Sequence, residues 1–155
     1  MKRAAAVTLG VAMLTTLVGV SGEATGVAHV VRILAENVLG EGSVTALTVT
    51  ESGSRVQIRW ESATYRTEHN LGKKRELLYA EAELATGSIM GRLTAITRVR
   101  FAIVRGERYL AGGQNVRGQG LVLMLAPELG GGIYVPPAKG NAASSGGGSG
   151  SVKGD

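Results

Sequence analysis

Arg55-Val56-Gln57-Ile58-Arg59-Trp60-Glu61 is the stretch on which the reading of this chain turns. Val56, Ile58 and Trp60 hold one parity, while Arg55, Gln57, Arg59 and Glu61 hold the other. Successive side chains of a strand point to opposite faces, so this is a strand with one apolar and one charged face. Thr97 to Arg105 repeats the pattern, with Val99, Phe101 and Ile103 set against Arg98, Arg100 and Ala102. Two such strands need an apolar cover on one side and water on the other.

The flanking sequence supplies the cover. Upstream, Val27, Val30, Val31, Leu34 and Val38 recur at three- and four-residue steps, which predicts a helix from Gly26 to Leu39 stopped by Gly40. Ser43 to Thr50 reads as a strand, with Leu47 and Val49 on one face and Thr48 and Thr50 on the other. The turn at Ser52-Gly53-Ser54 then leads into Arg55. Downstream of a polar loop at residues 67–72, Leu78, Ala82, Ala85, Ile89 and Leu93 predict a second helix over Lys73 to Leu93. Its Gly87 and Gly91 each lower helix propensity by about 1 kcal/mol relative to Ala; with Ala80 and Ser88 they are expected to let the helix lie close to a sheet. Arg108 to Gln114 reads as the returning arm of a hairpin. Leu121 to Leu125 is an apolar run ended by Pro127, expected as an edge strand or as a cover for the core, with an exposed strip that meets a partner or membrane as the alternative.

The expected organisation is therefore an opening segment 1–24, an α+β domain over 26–117, an apolar extension at 118–135, and a disordered Gly/Ser-rich tail at 136–155. The expected fold class is α+β, a two-layer sandwich in the order helix, strand, strand, helix, strand, with one further strand. Both helices pack on one face of a small sheet. Over Val27 to Val104 this order resembles the BON domains, small export-compartment domains associated with membrane surfaces. The likeness lies in topology. Gly53 precedes Val56 and Ile58 at a different offset from the family's glycine-flanked alternation, and Trp60-Glu61 stands where a second glycine is expected, so no functional residues carry over.

Met1-Lys2-Arg3 followed by an uncharged run from Ala4 to Val20 and small residues at Ser21-Gly22-Glu23-Ala24 has the form of an export signal. Seventeen helical residues span about 25 Å, short of a roughly 30 Å hydrocarbon core. A cleaved signal is therefore expected over a retained anchor, and the protein is expected to be periplasmic, extracellular or anchored through residues 4–20. The chain carries 17 Lys and Arg against 12 Asp and Glu, a formal charge of +5; loss of Lys2, Arg3 and Glu23 with the opening segment lowers it by one. A mildly basic balance favours anionic partners. There is no cysteine, so disulfides, thiolate metal sites and thiol catalysis are excluded. The only aspartate is Asp155, and His29 and His69 are the only histidines.

The candidate site is the charged side of the two clearest strands. Arg55, Arg59, Arg98 and Arg100 project opposite the apolar faces, and guanidinium groups pair bidentately with phosphate or carboxylate. The competing reading is that these arginines solubilise the sheet and pair with Glu51, Glu61 or Glu107. Lys73, Lys74 and Arg75 form a second cationic cluster at a helix start, where positive charge opposes the macrodipole. Nucleic acid is disfavoured, because Trp60 and Phe101 fall on the apolar face and cannot interleave with the arginines as stacking platforms. His69 beside Glu68 has no positioned nucleophile, and two isolated histidines make a poor zinc site. The expectation is a non-enzymatic envelope protein, without cofactor or metal, that binds an anionic envelope component, either phospholipid or wall polymer. The alternative is a structural subunit, oligomeric or pairing with another envelope protein. A Glu/His-dependent hydrolase is the remote third.

Overall fold

The computed structural model describes residues 22–50, 52–63, 65 and 69–137. The expected signal lies outside the described residues up to position 21, and so does the expected tail from position 138 onward. Two helices, α1 (Gly22–Leu39) and α2 (Leu71–Arg92), cover one face of a six-stranded sheet. The strands are β1 (Val44–Val49), β2 (Arg55–Glu61), β3 (Arg98–Arg105), β4 (Arg108–Val116), β5 (Gly120–Leu125) and β6 (Gly132–Tyr134), and they lie side by side in sequence order. The fold is thus the expected α+β two-layer arrangement, with β4 as its further strand, extended by β5 and β6.

All neighbours are antiparallel except β2 and β3, which run parallel from Arg55 beside Arg98 to Glu61 beside Val104. A parallel pair needs a long crossover, and α2 provides it. The helix starts at Leu71 because the Asn70 side chain accepts a hydrogen bond from the Lys73 amide at 3.0 Å. α1 stops at Gly40, whose φ of 105° is the left-handed conformation that closes a helix at least cost with glycine.

The core is the apolar parity of the strands against both helices. Val56, Ile58 and Trp60 of β2 and Val99, Phe101 and Ile103 of β3 join Val31 and Ala35 of α1 and Leu78, Ala82, Ala85 and Ile89 of α2. Trp60 is fully buried and stacks on Phe101, with ring centroids 5.4 Å apart. Its indole N–H donates to the Glu81 carboxylate at 3.3 Å, and the Ser62 hydroxyl donates to the other Glu81 oxygen at 2.8 Å. The buried Thr86 hydroxyl donates to the Ala82 carbonyl at 2.7 Å and accepts from Asn115 of β4 at 2.8 Å. These buried polar groups are therefore satisfied and tie α2 to the sheet.

Polar ties also hold the chain's later half. Arg117, just past β4, donates to the carbonyls of Met90 at 2.6 Å and Ile96 at 3.0 Å, engaging the end of α2 and the loop that follows it. Arg75 donates to the Leu129 carbonyl at 2.6 Å, and Tyr79 of α2 meets Tyr134 of β6 at 5.7 Å between ring centroids.

Two expectations need correction. Leu121 to Leu125 is an interior strand, because β6 pairs beyond it. Leu123 and Leu125 are buried while Val122 and Met124 face out, so the run is core and surface by alternation. Gly87 and Gly91 do not mediate close packing: both face solvent, with no atom within 4 Å of a would-be Cβ. The close approach of α2 is made by Ala82 and Ala85. A different glycine is sterically required. A Cβ on Gly113, in the middle of β4, would collide with the backbone carbonyl oxygen of Val122 on β5.

These two environments predict opposite signs. Gly87→Ala should raise unfolding stability by about 0.5–1 kcal/mol, because it relieves the helix-interior glycine penalty without a clash. Gly113→Ala should lower it by about 1–3 kcal/mol, the usual cost of forcing atoms into a packed site. Urea midpoints at constant slope measure both, and an unchanged midpoint for Gly113→Ala would contradict the β4–β5 geometry.

Candidate functional site

Register decides what the open side of the sheet looks like. Cross-strand neighbours form rows, and one row runs Ala46, Arg59, Ala102, Gly112, Met124, Ile133 from β1 to β6. The next runs Thr48, Gln57, Arg100, Gln114, Val122, and a third begins Arg55, Arg98, Val116. The parallel, unstaggered pairing of β2 with β3 therefore brings the four arginines together on the side away from the helices. Arg55 and Arg98 sit on adjacent strands about 4.8 Å apart, and Arg100 follows Arg98 about 6.6 Å further along.

Among the described residues none of these four arginines has a carboxylate partner, whereas Arg32, Lys73 and Arg108 do. Glu51 lies outside the described residues. Glu61 stands about 20 Å along β2 from Arg55 and two residues from Arg59 on the same parity, with no ion pair between Glu61 and Arg59. The Arg108–Glu128 pair, 2.8 Å apart, shows what a partnered arginine does here. The Glu128 carboxyl is held below its ordinary pKa by its own backbone amide and then by Arg108.

Two recesses indent the arginine side. The wider, about 320 Å³, is lined by Ala46, Thr48, Gln57, Arg59, Arg100 and Ala102, together with the strand backbone around them. It exists because both cross-strand neighbours of Arg59 are alanines. The Nε of Arg59 is shielded from solvent and has no hydrogen-bond partner. The narrower recess, about 120 Å³, is lined by Thr50, Arg55, Val56, Gln57, Arg98 and Arg100. Gln57 and Arg100 border both.

Beyond β3 the same face turns apolar. Val122 is 40% exposed, Met124 53% and Ile133 66%, and the Tyr109 ring lies across Gly112. The open face is thus divided into a basic half on β1–β3 and an apolar half on β4–β6. Alternation already set Gln57 with the arginines and Thr48 with Thr50 on the polar face of their segment, and Leu121 to Leu125 was already a candidate contact strip; Ile133 was missed, because β6 carries only three residues and no strand signal.

The Lys73, Lys74 and Arg75 cluster does not join this face. It belongs to α2, in the helix layer on the other side of the sheet, and each side chain is engaged within the chain. Lys73 pairs with Glu76 at 3.3 Å, Lys74 lies 4.3 Å from the Tyr65 ring centroid, and Arg75 holds the Leu129 carbonyl. Asn70 capping and these contacts offset the unfavourable placement of positive charge at the helix start. His29 and His69 are exposed, and among the described residues no three His, Asp or Glu side chains gather as a metal site would require.

Fold and face together define a small α+β domain that presents an open sheet face, basic over β1–β3 and apolar over β4–β6. No protein-family model, curated protein or solved structure matches the chain, so the likeness to BON domains rests on the order of elements alone. Among the described residues no helix is long and apolar enough to cross a membrane.

Like charges side by side on neighbouring strands are destabilising. Arg98→Gln should therefore raise unfolding stability by about 0.2–1 kcal/mol at low ionic strength. The gain should vanish near 1 M salt, where the screening length is about 3 Å. Urea titrations at the two salt concentrations measure it. A loss of stability at low salt would mean that Arg98 serves the fold.

Proposed function

We propose that this protein binds an anionic envelope component, phospholipid or wall polymer, through the arginine face, and performs no chemistry of its own. The observation that carries the reading is the gathering of Arg55, Arg59, Arg98 and Arg100 on two adjacent strands, none of them in an ion pair among the described residues. Such a face carries an electrostatic cost when empty and loses it when an anion arrives. Guanidinium forks also supply paired donors suited to phosphate and carboxylate oxygens. The basic head and apolar run of residues 1–20 support an exported protein, and hence the envelope as the place where the anion is met.

Cosedimentation with anionic vesicles and retention on wall polymer test this reading, with wild type compared against Arg59→Ala/Arg100→Ala. Two lost charge-assisted contacts at about 1.5 kcal/mol each predict at least a tenfold loss of affinity, and wild-type binding should weaken as salt rises. Equal retention of the two proteins would sink the idea.

A second reading rests on the apolar half. Val122, Met124 and Ile133 form a contiguous exposed strip next to the short edge strand β6, the form of a surface that assembles with another polypeptide. Here the expected result is an oligomer by light scattering that Met124→Lys/Ile133→Lys converts to monomer. A wild-type monomer at all concentrations removes this reading. Truncation ahead of β5 is unsuitable as a test, because Leu123 and Leu125 belong to the core.

A further inference from the structure

The narrower recess is built differently from a generally basic surface. Three of the four arginines, Arg55, Arg98 and Arg100, border a space of about 120 Å³, with Thr50 and Gln57 as the neutral polar neighbours. A planar carboxylate is satisfied by one bidentate arginine and carries a single charge. Three forks set around a small space match instead an anion with several oxygens pointing in different directions. A phosphate group has that shape and carries the higher charge.

The second recess bears on what the phosphate is attached to. It is contiguous with the first through Gln57 and Arg100, and its alanine neighbours leave room. Arg59 lines it, and the Nε–H of that side chain is shielded from solvent and without an acceptor. Orphaned buried donors are uncommon in folded proteins. An oxygen-bearing body joined to the phosphate would give the Arg59 guanidinium an acceptor when the side chain turns into the recess. Hydroxyl groups would suit the polar rim of Thr48 and Gln57.

We propose that the arginine face is a two-part site for a phosphorylated polyol: Arg55, Arg98 and Arg100 hold the phosphate in the narrower recess, and Arg59 meets an oxygen of the polyol in the wider one. This rests on the anion-binding reading above and narrows it from anionic surfaces in general to one chemistry. A phosphorylated polyol occurs free as a monoester, and as a lipid headgroup or the repeat of a polymer as a diester of single charge; the phosphate joined to a polyol is common to all three.

Isothermal titration of the full chain with glycerol 3-phosphate, inorganic phosphate and acetate tests the proposal. The expected order is glycerol 3-phosphate tighter than phosphate, and phosphate at least tenfold tighter than acetate. Arg98→Gln should weaken both phosphate ligands at least tenfold. Arg92→Gln, which removes the same charge from the exposed end of α2, should change them less than twofold. Arg59→Gln should abolish the preference for glycerol 3-phosphate over phosphate while leaving phosphate binding within twofold, a readout that general unfolding would not produce. Competition by glycerol 3-phosphate against phosphatidylglycerol vesicles and against soluble glycerol-phosphate polymer identifies the source, since only a source held in this site is displaced. Acetate binding as tightly as phosphate, or Arg98→Gln matching Arg92→Gln, overturns the phosphate site and leaves the arginine-face reading standing. Failure of every anionic probe, vesicles and polymer included, overturns both.

Discussion

The parallel, unstaggered pairing of β2 with β3 is the constraint from which the rest of the molecule follows. Because Val56, Ile58 and Trp60 lie beside Val99, Phe101 and Ile103, one side of the pair is continuously apolar and has to be covered. The same pairing stacks Trp60 on Phe101 and places the indole where Glu81 of α2 reaches it. It requires a crossover, which is why α2 lies between the two strands in sequence and over them in space. Its other consequence is electrostatic. Strands that align their apolar parities must also align their arginines, so burial on one side concentrates positive charge on the other.

Cover is achieved with little hydrophobic bulk. Ala35, Ala82 and Ala85 let the helices approach, and polar ties complete what apolar contact leaves loose. Asn115 to Thr86, Arg117 to the carbonyls around the end of α2, and Arg75 to Leu129 each link the helix layer to chain that is distant in sequence. Several basic residues are thereby committed to structure. Arg75 and Arg117 occupy backbone carbonyls that would otherwise lack partners, and Lys74 rests over Tyr65. Arg55, Arg59, Arg98 and Arg100 stand apart from these, because among the described residues no carboxylate pairs with them.

The open face is not uniform. Small residues along the row through Ala46, Ala102 and Gly112 keep its centre low, with Arg59 between two alanines and the Tyr109 ring over Gly112. Recesses form on the basic side, while Val122, Met124 and Ile133 make a flush apolar strip on the other. Position along one row, a few strand widths, separates a surface suited to anions from one suited to apolar contact.

The sequence by itself determined the period-two faces of β2 and β3, both helices, and the class of fold, because local periodicity follows directly from strand and helix geometry. Arg55, Arg59, Arg98 and Arg100 were legible as candidates for the same reason. Their gathering was not, since it depends on the register of two strands separated by a helix. The lysine cluster looked equivalent in sequence and lies instead in the helix layer with partners of its own, because only packing shows Glu76, Tyr65 and Leu129 within its reach. Gly113, not Gly87, is the position that needs glycine, on the same principle: a glycine in a helix and a glycine in a strand look alike until neighbouring backbone shows which has room for a methyl group. Leu121 to Leu125 read as uniform, yet β6, too short to carry a pattern, made it an interior strand with two different faces. Local alternation says which side chains share a face of one strand; the contacts of separate strands decide which faces meet.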